Sequence, residues 1–311
     1  MPSQKLCLAF DLGGTKLEVG LVSDRGHILE TFREKLVLEH GKEGLFSLMT
    51  RVGQTLLEKY PEIEAVGISS CGPLDVRRGL LLDPTNLMSD GKGWGTIEIV
   101  KILSQSLQRT VYLQNDAACS ALAERWLGLG KENDADNLVV LTLGTGLGVG
   151  VIVNKQLFCG GRFLHPEAGH IIISHRDKER ACACGVSGDA EAYLSGKHFE
   201  DHFNALHKRN EMPISAGAIT ELARKGDPAA KKAFAEYAEV MASAIHNYCV
   251  IFYPELIVFG GSFAESFDQF SEQTMTHLKS LLKRRPEIVP QLKASTLQNH
   301  SSLLGAASLC F

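Results

Sequence analysis

The chain has 311 residues, 44% of them hydrophobic and 22% charged, which is the size and composition of a globular protein with two domains. Its net charge of −4 argues against a surface that binds nucleic acid or a membrane. The start is polar, and the apolar run Leu6–Phe10 is too short for a signal-peptide core. With eight mostly scattered cysteines, this predicts a cytoplasmic protein with reduced thiols.

Segments with strand and helix periodicity alternate along the chain. The predicted strands are Leu6–Phe10, Leu17–Val22, Ile28–Lys35, Ala65–Ser69, Thr110–Gln114, Leu138–Leu143, Val149–Val153 and Leu256–Phe259. The predicted helices are Lys42–Lys59, Thr96–Leu107, Ala117–Leu127, Ala216–Lys225, Pro228–Val250, Phe267–Arg284 and Ser301–Phe311. This alternation predicts an α/β fold, and the last helix is expected to pack on the N-terminal domain.

A strand–glycine turn–strand pattern occurs twice. The first turn contains Gly13, Gly14, Thr15 and Lys16, and the second contains Gly144, Thr145 and Gly146. Glycine tips let backbone N–H groups converge on an anion without interference from a Cβ atom. Two such turns, one in each half of the chain, predict a clamp for a polyphosphate between two domains; two ordinary hairpins are the alternative.

Two aspartates occupy positions suited to phosphoryl transfer. Asp11 ends the first strand directly before the glycine turn, where a carboxylate next to phosphate needs an intervening cation such as Mg²⁺. Asp116 follows Asn115 at the junction of a strand and a helix, where it could take the proton of an attacking hydroxyl. The alternatives are a turn-forming role for Asp11 and a helix cap at Asn115 or Asp116.

Further along the chain are a candidate metal site and a second glycine pair. His170, Cys182 and Cys184 resemble three of the four ligands of a structural zinc site, although cysteine pairs are also common in protein cores. Gly260 and Gly261 end an apolar strand, and their bare backbone would let a flat base approach closely. A plain turn between strand and helix is the alternative for that pair.

Together these motifs resemble those of the ROK family (repressors, uncharacterised reading frames and sugar kinases) of the actin/hexokinase-like ATPase superfamily. The two glycine turns, with Asp11, are similar to its phosphate motifs, Gly260–Gly261 to its adenosine motif, and Asn115–Asp116–Ala117 to its catalytic segment. Glu167–Ala168–Gly169–His170 is similar to its Glu-x-Gly-His sugar and metal motif, and the run beginning at Glu191 to the continuation of that motif. Gly72 and Asn86 fall in segments similar to its sugar-facing loops.

The resemblance implies a fold and a reaction. The implied fold is the two-domain actin/hexokinase-like (ribonuclease H-like) α/β fold with a cleft, divided into residues 1–115 plus 300–311 and residues 116–299. The implied activity is ATP- and Mg²⁺-dependent phosphorylation of the 6-hydroxyl of a hexose, with Asp116 as catalytic base. Asn86, Asn115, Glu167, His170 and Glu191 would bind the sugar, and a homodimer is expected.

One position departs from the family pattern. The family has a third cysteine where this chain has Asp189, which is also an acceptable zinc ligand. The site is therefore either His170, Cys182, Cys184 and Asp189, with His175 as a spare candidate, or it has been lost. A retained zinc ion would be structural and would orient the His170 ring.

Some alternatives remain open at this stage. Glucose is the expected substrate, with N-acetylglucosamine or N-acetylmannosamine as alternatives, for which the small Ala168 would leave room. A catalytically silent sugar or nucleotide sensor on the same fold is the other class, and the presence of Asp116 favours the kinase. The ten residues before Asp11 leave no room for a helix-turn-helix, so DNA binding is not expected.

Overall fold

The computed structural model describes residues 4–84, 86–89, 91–161, 164–174, 180–208 and 212–311, which form two units. The first unit consists of Met1–Leu127, Phe158–Pro166 and His300–Phe311. The second unit consists of Gly128–Leu157 and Glu167–Asn299. None of the helices in these ranges is both long and apolar enough to cross a bilayer.

Strands and helices alternate along the described residues. The strands are β1 Leu6–Leu12, β2 Lys16–Ser23, β3 Ile28–Lys35, β4 Ala65–Ser70, β5 Leu74–Asp75, β6 Leu80–Leu82, β7 Met88–Ser89, β8 Lys92–Gly93, β9 Thr96–Ile97, β10 Thr110–Asn115, β11 Leu138–Leu143, β12 Leu147–Val153, β13 Gln156–Leu157, β14 Leu256–Gly260 and β15 Gln291–Ala294. The α-helices are α1 Gly41–Lys59, α2 Ile99–Leu107, α3 Asp116–Trp126, α4 Leu129–Glu132, α5 Glu191–Leu194, α6 Gly196–Leu206, α7 Ala216–Arg224, α8 Pro228–Phe252, α9 Phe267–Leu281 and α10 Ser301–Ser308. Short 3-10 turns occur at Leu38–His40, Ala168–His170, Ser262–Ser266, Pro286–Ile288 and Gln298–His300.

The first unit is built on a mixed sheet with the strand order β10-β4-β1-β2-β3. Strands β1 and β2 form an antiparallel hairpin around the first glycine turn, whereas β4 and β10 run parallel to β1. Most residues of β1 and β2 are buried, as expected for strands covered on both faces. Phe10, Met49 and Ile68 lie in its core. The parallel arrangement places the ends of β1, β4 and β10 at one edge of the sheet.

The second unit repeats this arrangement with the strand order β13-β12-β11-β14-β15. Strands β11 and β12 form the hairpin around the second glycine turn, and β14 and β15 run parallel to β11. The core contains a cluster of aromatic rings, including Phe234, Tyr248, Phe259 and Phe270. The second glycine turn therefore has the same position in its sheet as the first turn has in the other unit.

The C-terminal helix α10 packs within the first unit. A Cβ atom at Gly305 would lie 1.8 Å from the Cys119 carbonyl oxygen in α3, and one at Gly67 would lie 1.9 Å from the Ala306 carbonyl oxygen. The Ser120 and Ser301 hydroxyls are 3.2 Å apart. These close approaches place α3 in the first unit, whereas the sequence-based division at residues 115 and 116 assigned it to the second. Residues 158–166 also belong to the first unit rather than the second.

Each predicted strand and helix has a counterpart in the structure. The predicted helix Thr96–Leu107 is shorter, because residues 96–97 form β9 and α2 begins at Ile99. The sequence analysis missed α6 and β15. It also missed the short strands between β4 and α2, which are too brief to show a period of their own.

Candidate functional site

The first glycine turn is closed by its own backbone. Gly13 N donates to Lys16 O at 3.0 Å, and Leu36 N donates to Thr15 O at 2.9 Å. A Cβ atom at Gly14 would lie 2.8 Å from the Asn86 Cβ, so this position requires glycine. The turn therefore lies directly beside Asn86, one of the candidate sugar-binding residues.

Asp11 lies at the end of β1 in a partly buried, charged environment. It is in register with Ser69 on one side and Glu18 on the other. Burial raises the pKa of the Asp11 carboxyl; Ser69 and Lys16 oppose this rise, and the Glu18 carboxylate adds to it. An ionised carboxylate is thus disfavoured here without a cation, which fits a role as a metal anchor.

Helix α3 starts with a cap supplied by Asn115. The Asn115 Oδ1 atom accepts hydrogen bonds from Ala117 N at 2.9 Å and Ala118 N at 3.2 Å. The neighbouring Asp116 is partly buried, and its Oδ1 atom accepts from Ala117 N at 2.8 Å. Since Asn115 provides the cap, capping does not by itself explain an aspartate at position 116.

Asp116 is close to two other candidate segments of the first unit. Burial and the negative charge of Asp116 raise the pKa of the Cys71 thiol to about 11, while the Asn86 side chain opposes this rise. Cys71 directly precedes Gly72 in the candidate sugar-facing loop. The structure thus brings Asp116, Asn86 and the Cys71–Gly72 segment together.

The second glycine turn packs against Gly260 and Gly261. Gly144 N donates to Gly146 O at 3.0 Å and closes the tip. Gly261 has a φ of +80°, and a Cβ atom there would lie 2.3 Å from the Leu143 carbonyl oxygen. Among the described residues, no heavy atom lies within 4 Å of where a Gly260 Cβ would stand. The pair thus lies against the start of the turn, and free space remains where a Gly260 side chain would extend, although Gly260 itself is buried.

The Glu-x-Gly-His segment lies against the other end of this turn. A Cβ atom at Gly169 would lie 2.1 Å from the Leu147 carbonyl oxygen. Ala168 packs against the core of the second unit, and its carbonyl oxygen accepts from the Tyr248 hydroxyl at 2.9 Å. Ala168 is only partly buried, so the expectation that it leaves room for an acetamido group stays a prediction.

Glu167 lies near His170 and Glu191. Desolvation raises the pKa of Glu167, His170 opposes this rise, and the charge of Glu191 adds to it. Glu167 therefore interacts electrostatically with both His170 and Glu191 within the second unit.

The four candidate metal ligands come together in the same unit. The ligand atoms of His170, Cys182, Cys184 and Asp189 all lie within 4.8 Å of one another. His170 Nδ1 is 2.8 Å from Asp189 Oδ2 and 3.7 Å from Cys182 Sγ, and Cys184 Sγ is 3.3 Å from Asp189 Oδ2. The ligand atoms of a tetrahedral zinc site lie about 3.3–3.8 Å apart. His170 Nδ1 and Asp189 Oδ2 are closer than this, so these two atoms would have to separate slightly to bind zinc.

The charge state of this cluster also suits a cation. Burial acts to raise the pKa of Asp189, but hydrogen bonds from Ala192 N and His170 outweigh it and hold that pKa below its ordinary value. Burial raises the pKa of the Cys182 thiol, so a zinc ion would have to displace the proton of this sulfur. The donor set of one imidazole, two thiols and one carboxylate therefore fits zinc. His175, the spare candidate, lies outside the described residues.

The sequence matches the model of the ROK family over residues 7–311. The chain belongs to the ROK family. It is 31% identical to a glucokinase of Thermotoga maritima, covering 99% of this chain and 98% of that protein. It is 29% identical to an N-acetyl-D-glucosamine kinase of Histophilus somni, covering 96% and 97%.

A solved ROK structure has the same fold. The crystal structure of a ROK family glucokinase from Streptomyces griseus, in complex with glucose and AMPPNP, matches with a TM-score of 0.79 and 27% identity over 98% of each chain. This confirms the predicted actin/hexokinase-like α/β fold of this ROK protein. The family assignment made from the motifs is confirmed as well.

The structure adds neighbours that the motifs did not indicate. In the first unit these are Glu18 and Ser69, which flank Asp11, and Cys71, which lies beside Asp116. In the second unit the addition is Leu147, which contacts the Glu-x-Gly-His segment. Strand register next to Asp11 was the signal that could have revealed Glu18 and Ser69, since side chains at paired positions share a face.

Proposed function

We propose that this ROK-family protein is an ATP-dependent hexose kinase that transfers the γ-phosphoryl group to the 6-hydroxyl of a sugar, with glucose as the preferred acceptor. The observation that carries the proposal is Asp116, held at the start of α3 next to Asn86 although Asn115 already provides the helix cap. In this role the Asp116 carboxylate accepts the proton of the attacking hydroxyl. A silent sensor has no need of a carboxylate at this position.

The first unit would supply the acceptor side and the metal anchor. Asp11 would hold the shell of a Mg²⁺ ion, which when bound neutralises phosphate charge. The glycine turn with Gly13, Gly14, Thr15 and Lys16 would donate to phosphate oxygens. The Asn86 side chain and the Gly72 backbone would contact sugar hydroxyls. The close packing of Gly14 on Asn86 supports a role for both in one site.

The second unit would bind the remaining parts of both substrates. Gly144, Thr145 and Gly146 would contact phosphates, and the free space beside Gly260 and Gly261 would receive the adenine base. Glu167, His170 and Glu191 would accept and donate hydrogen bonds to sugar hydroxyls. A site of such groups rejects sugars that lack a hydroxyl, because the buried partner is left unpaired.

The acceptor is the first point to test. The glucokinase and N-acetylglucosamine kinase names of the relatives support glucose and N-acetylglucosamine as candidates, and we expect glucose to give the highest kcat/KM. A coupled ATP-consumption assay over glucose, mannose, N-acetylglucosamine and N-acetylmannosamine measures this. Higher kcat/KM for an N-acetylhexosamine would reassign the substrate. Tight sugar binding by calorimetry without any ATP consumption would instead identify a sensor.

A structural zinc ion is a second part of the proposal. His170 Nδ1, Cys182 Sγ, Cys184 Sγ and an Asp189 oxygen would hold it, leaving the other nitrogen of the His170 ring to face a sugar hydroxyl. Because Asp189 is a harder ligand than cysteine, affinity should be weaker than at a three-cysteine site.

Elemental analysis tests the metal. Protein purified without chelator should contain about one zinc ion per chain, and Cys182→Ser should lose it, as expected for a closed four-ligand site. The matched control is Cys159→Ser, a free cysteine outside the cluster, which should keep its zinc. Zinc loss should raise the sugar KM before it lowers the melting temperature. Zinc-free protein with an unchanged sugar KM would contradict the site. Formation of a homodimer and a cytoplasmic location stay predictions.

A further inference from the structure

The Glu191 carboxylate is bonded to the second glycine turn. Its Oε2 atom accepts a hydrogen bond from Leu147 N at 2.8 Å, at the residue where the turn enters β12. Its Oε1 atom accepts from Cys182 Sγ at 3.2 Å. One side chain thus joins the turn to the segment that carries the candidate metal ligands.

The residues that follow Glu191 hold the other end of the same turn. Lys197 N lies 3.3 Å from the Gly144 carbonyl oxygen and donates to it. A Cβ atom at Gly196 would lie 3.2 Å from that oxygen. The segment 191–197 therefore contacts the turn at both of its ends.

The Glu191 carboxylate lies close to where a side chain at position 146 would begin. A Cβ atom there would lie 2.6 Å from Glu191 Oε2, so any larger residue would displace the carboxylate. At Gly144, by contrast, a Cβ atom would have no heavy atom of the described chain within 4 Å. An alanine at position 146 would thus have to displace the Glu191 carboxylate, whereas an alanine at position 144 would meet no other atom of the described chain.

A glutamate at position 191 would be unfavourable if the only function of the turn were to attract phosphate. It adds a negative charge beside the candidate phosphate site, and it occupies the Leu147 N–H that an anion could otherwise use. Gly144 N–H is bonded within the turn as well, which leaves Thr145 and Gly146 as the tip residues whose N–H groups donate to no other group of the described chain. The benefit must therefore be geometric, since the bond fixes the direction of these N–H groups.

We propose that Glu191 is a positioning residue for the nucleotide, in addition to its proposed contact with the sugar. By holding Leu147 N, it keeps Thr145 and Gly146 oriented toward the phosphates before any sugar binds. This inference rests on the proposed kinase function. It gives Glu191 a role in nucleotide binding that a residue contacting only the sugar would not have.

Nucleotide affinity without sugar separates the two roles. Glu191→Ala should raise the Kd for Mg·AMPPNP roughly ten- to a hundredfold in calorimetry, which is the range expected for a lost hydrogen bond to a charged group. Glu191→Gln should restore most of that affinity, because its amide oxygen still accepts from Leu147 N. Glu255→Ala is the matched control: it also removes a carboxylate that accepts from a backbone N–H, that of Asn137 at 2.8 Å, and it should leave this Kd within twofold of the wild type.

A double-mutant cycle tests the contact itself. Gly146→Ala should weaken AMPPNP binding strongly in the wild type and much less in the Glu191→Ala background, where the colliding carboxylate is gone. The effect of Gly144→Ala should be the same in both backgrounds. Additive effects for Gly146→Ala would refute the positioning role. If Glu191→Ala does not fold, Glu191→Ser, which also lacks the colliding carboxylate, provides the second background.

The two proposals fail in different ways. A wild-type protein that neither binds Mg·AMPPNP nor phosphorylates any hexose would overturn the kinase function. A wild-type protein that does both, with unchanged AMPPNP affinity in Glu191→Ala, would overturn only the positioning role. Equal melting temperatures of the variants exclude a general loss of structure as the cause of a raised Kd.

Discussion

Asp116→Asn should lower kcat by roughly 10²- to 10⁴-fold while sugar affinity changes little, as expected when a general base is removed. Asparagine has nearly the same shape and can still accept the hydrogen bond from Ala117 N, so α3 should stay intact. Only the ability to take the proton of the hydroxyl is lost. Single-turnover phosphoryl transfer and sugar calorimetry on the same protein measure the two quantities.

The control for this variant is a capping aspartate elsewhere. Asp227 caps α8, and its Oδ1 atom accepts from Ala230 N at 2.9 Å. Asp227→Asn makes the same chemical change at a helix start outside the candidate site, and it should leave kcat unchanged. A near-wild-type kcat in Asp116→Asn would show that Asp116 serves only the helix, and the proposed mechanism would be wrong.

Asp11→Asn should lower kcat/KM for Mg·ATP by about 10²-fold or more, because the carboxylate that holds the metal shell is lost. The free energy of unfolding of this variant should rise at neutral pH, although its kcat/KM falls. Since the folded structure raises the pKa of Asp11, its ionised form lowers stability at neutral pH. The variant should therefore melt at a higher temperature than the wild type near pH 7.5, and this gain should vanish as the pH falls below the pKa of the unfolded carboxyl.

Asp268 provides a control in which the change in stability at neutral pH should have the opposite sign. A hydrogen bond from Arg224 holds the pKa of Asp268 below its ordinary value, so its ionised form stabilises the fold at neutral pH. Asp268→Asn should lower the melting temperature near pH 7.5, with the loss disappearing in acid, and it should not affect Mg·ATP use. An Asp11→Asn protein that loses ATP and sugar affinity equally would contradict the metal role.

The glycine hairpins were recognisable in the sequence because their structure is set locally. Apolar strands on each side of a glycine tip dictate both the pairing and the turn. Helix α6 was missed for the opposite reason. Its middle is polar, and it depends on Phe199 and Phe203 packing in the core and on the Ser195 side chain, which accepts from His198 N. Phe199 and Phe203 do have helical spacing behind the Ser195 cap, but few other residues of this short helix are apolar.

The candidate site was predictable as a set of residue types, but its internal contacts were not. The spacing of His170, Cys182 and Cys184 suggested a metal cluster, and their ligand atoms do lie together with that of Asp189. The sequence could not indicate that the Ala168 carbonyl oxygen accepts from the Tyr248 hydroxyl, because the contacts of a short 3-10 turn depend on residues distant in the chain. Tertiary packing decides such contacts.

The position of α10 affects the order in which the protein can fold during synthesis. Residues 128–299, which contain the whole second unit, are synthesised before Gly305 and Ala306. Until then α3 and the Gly67 region of β4 lack the helix that covers them. The unit that begins first in the sequence is thus completed last, and a chain that ends at residue 299 and has left the ribosome should protect the second unit from proteases but not the first.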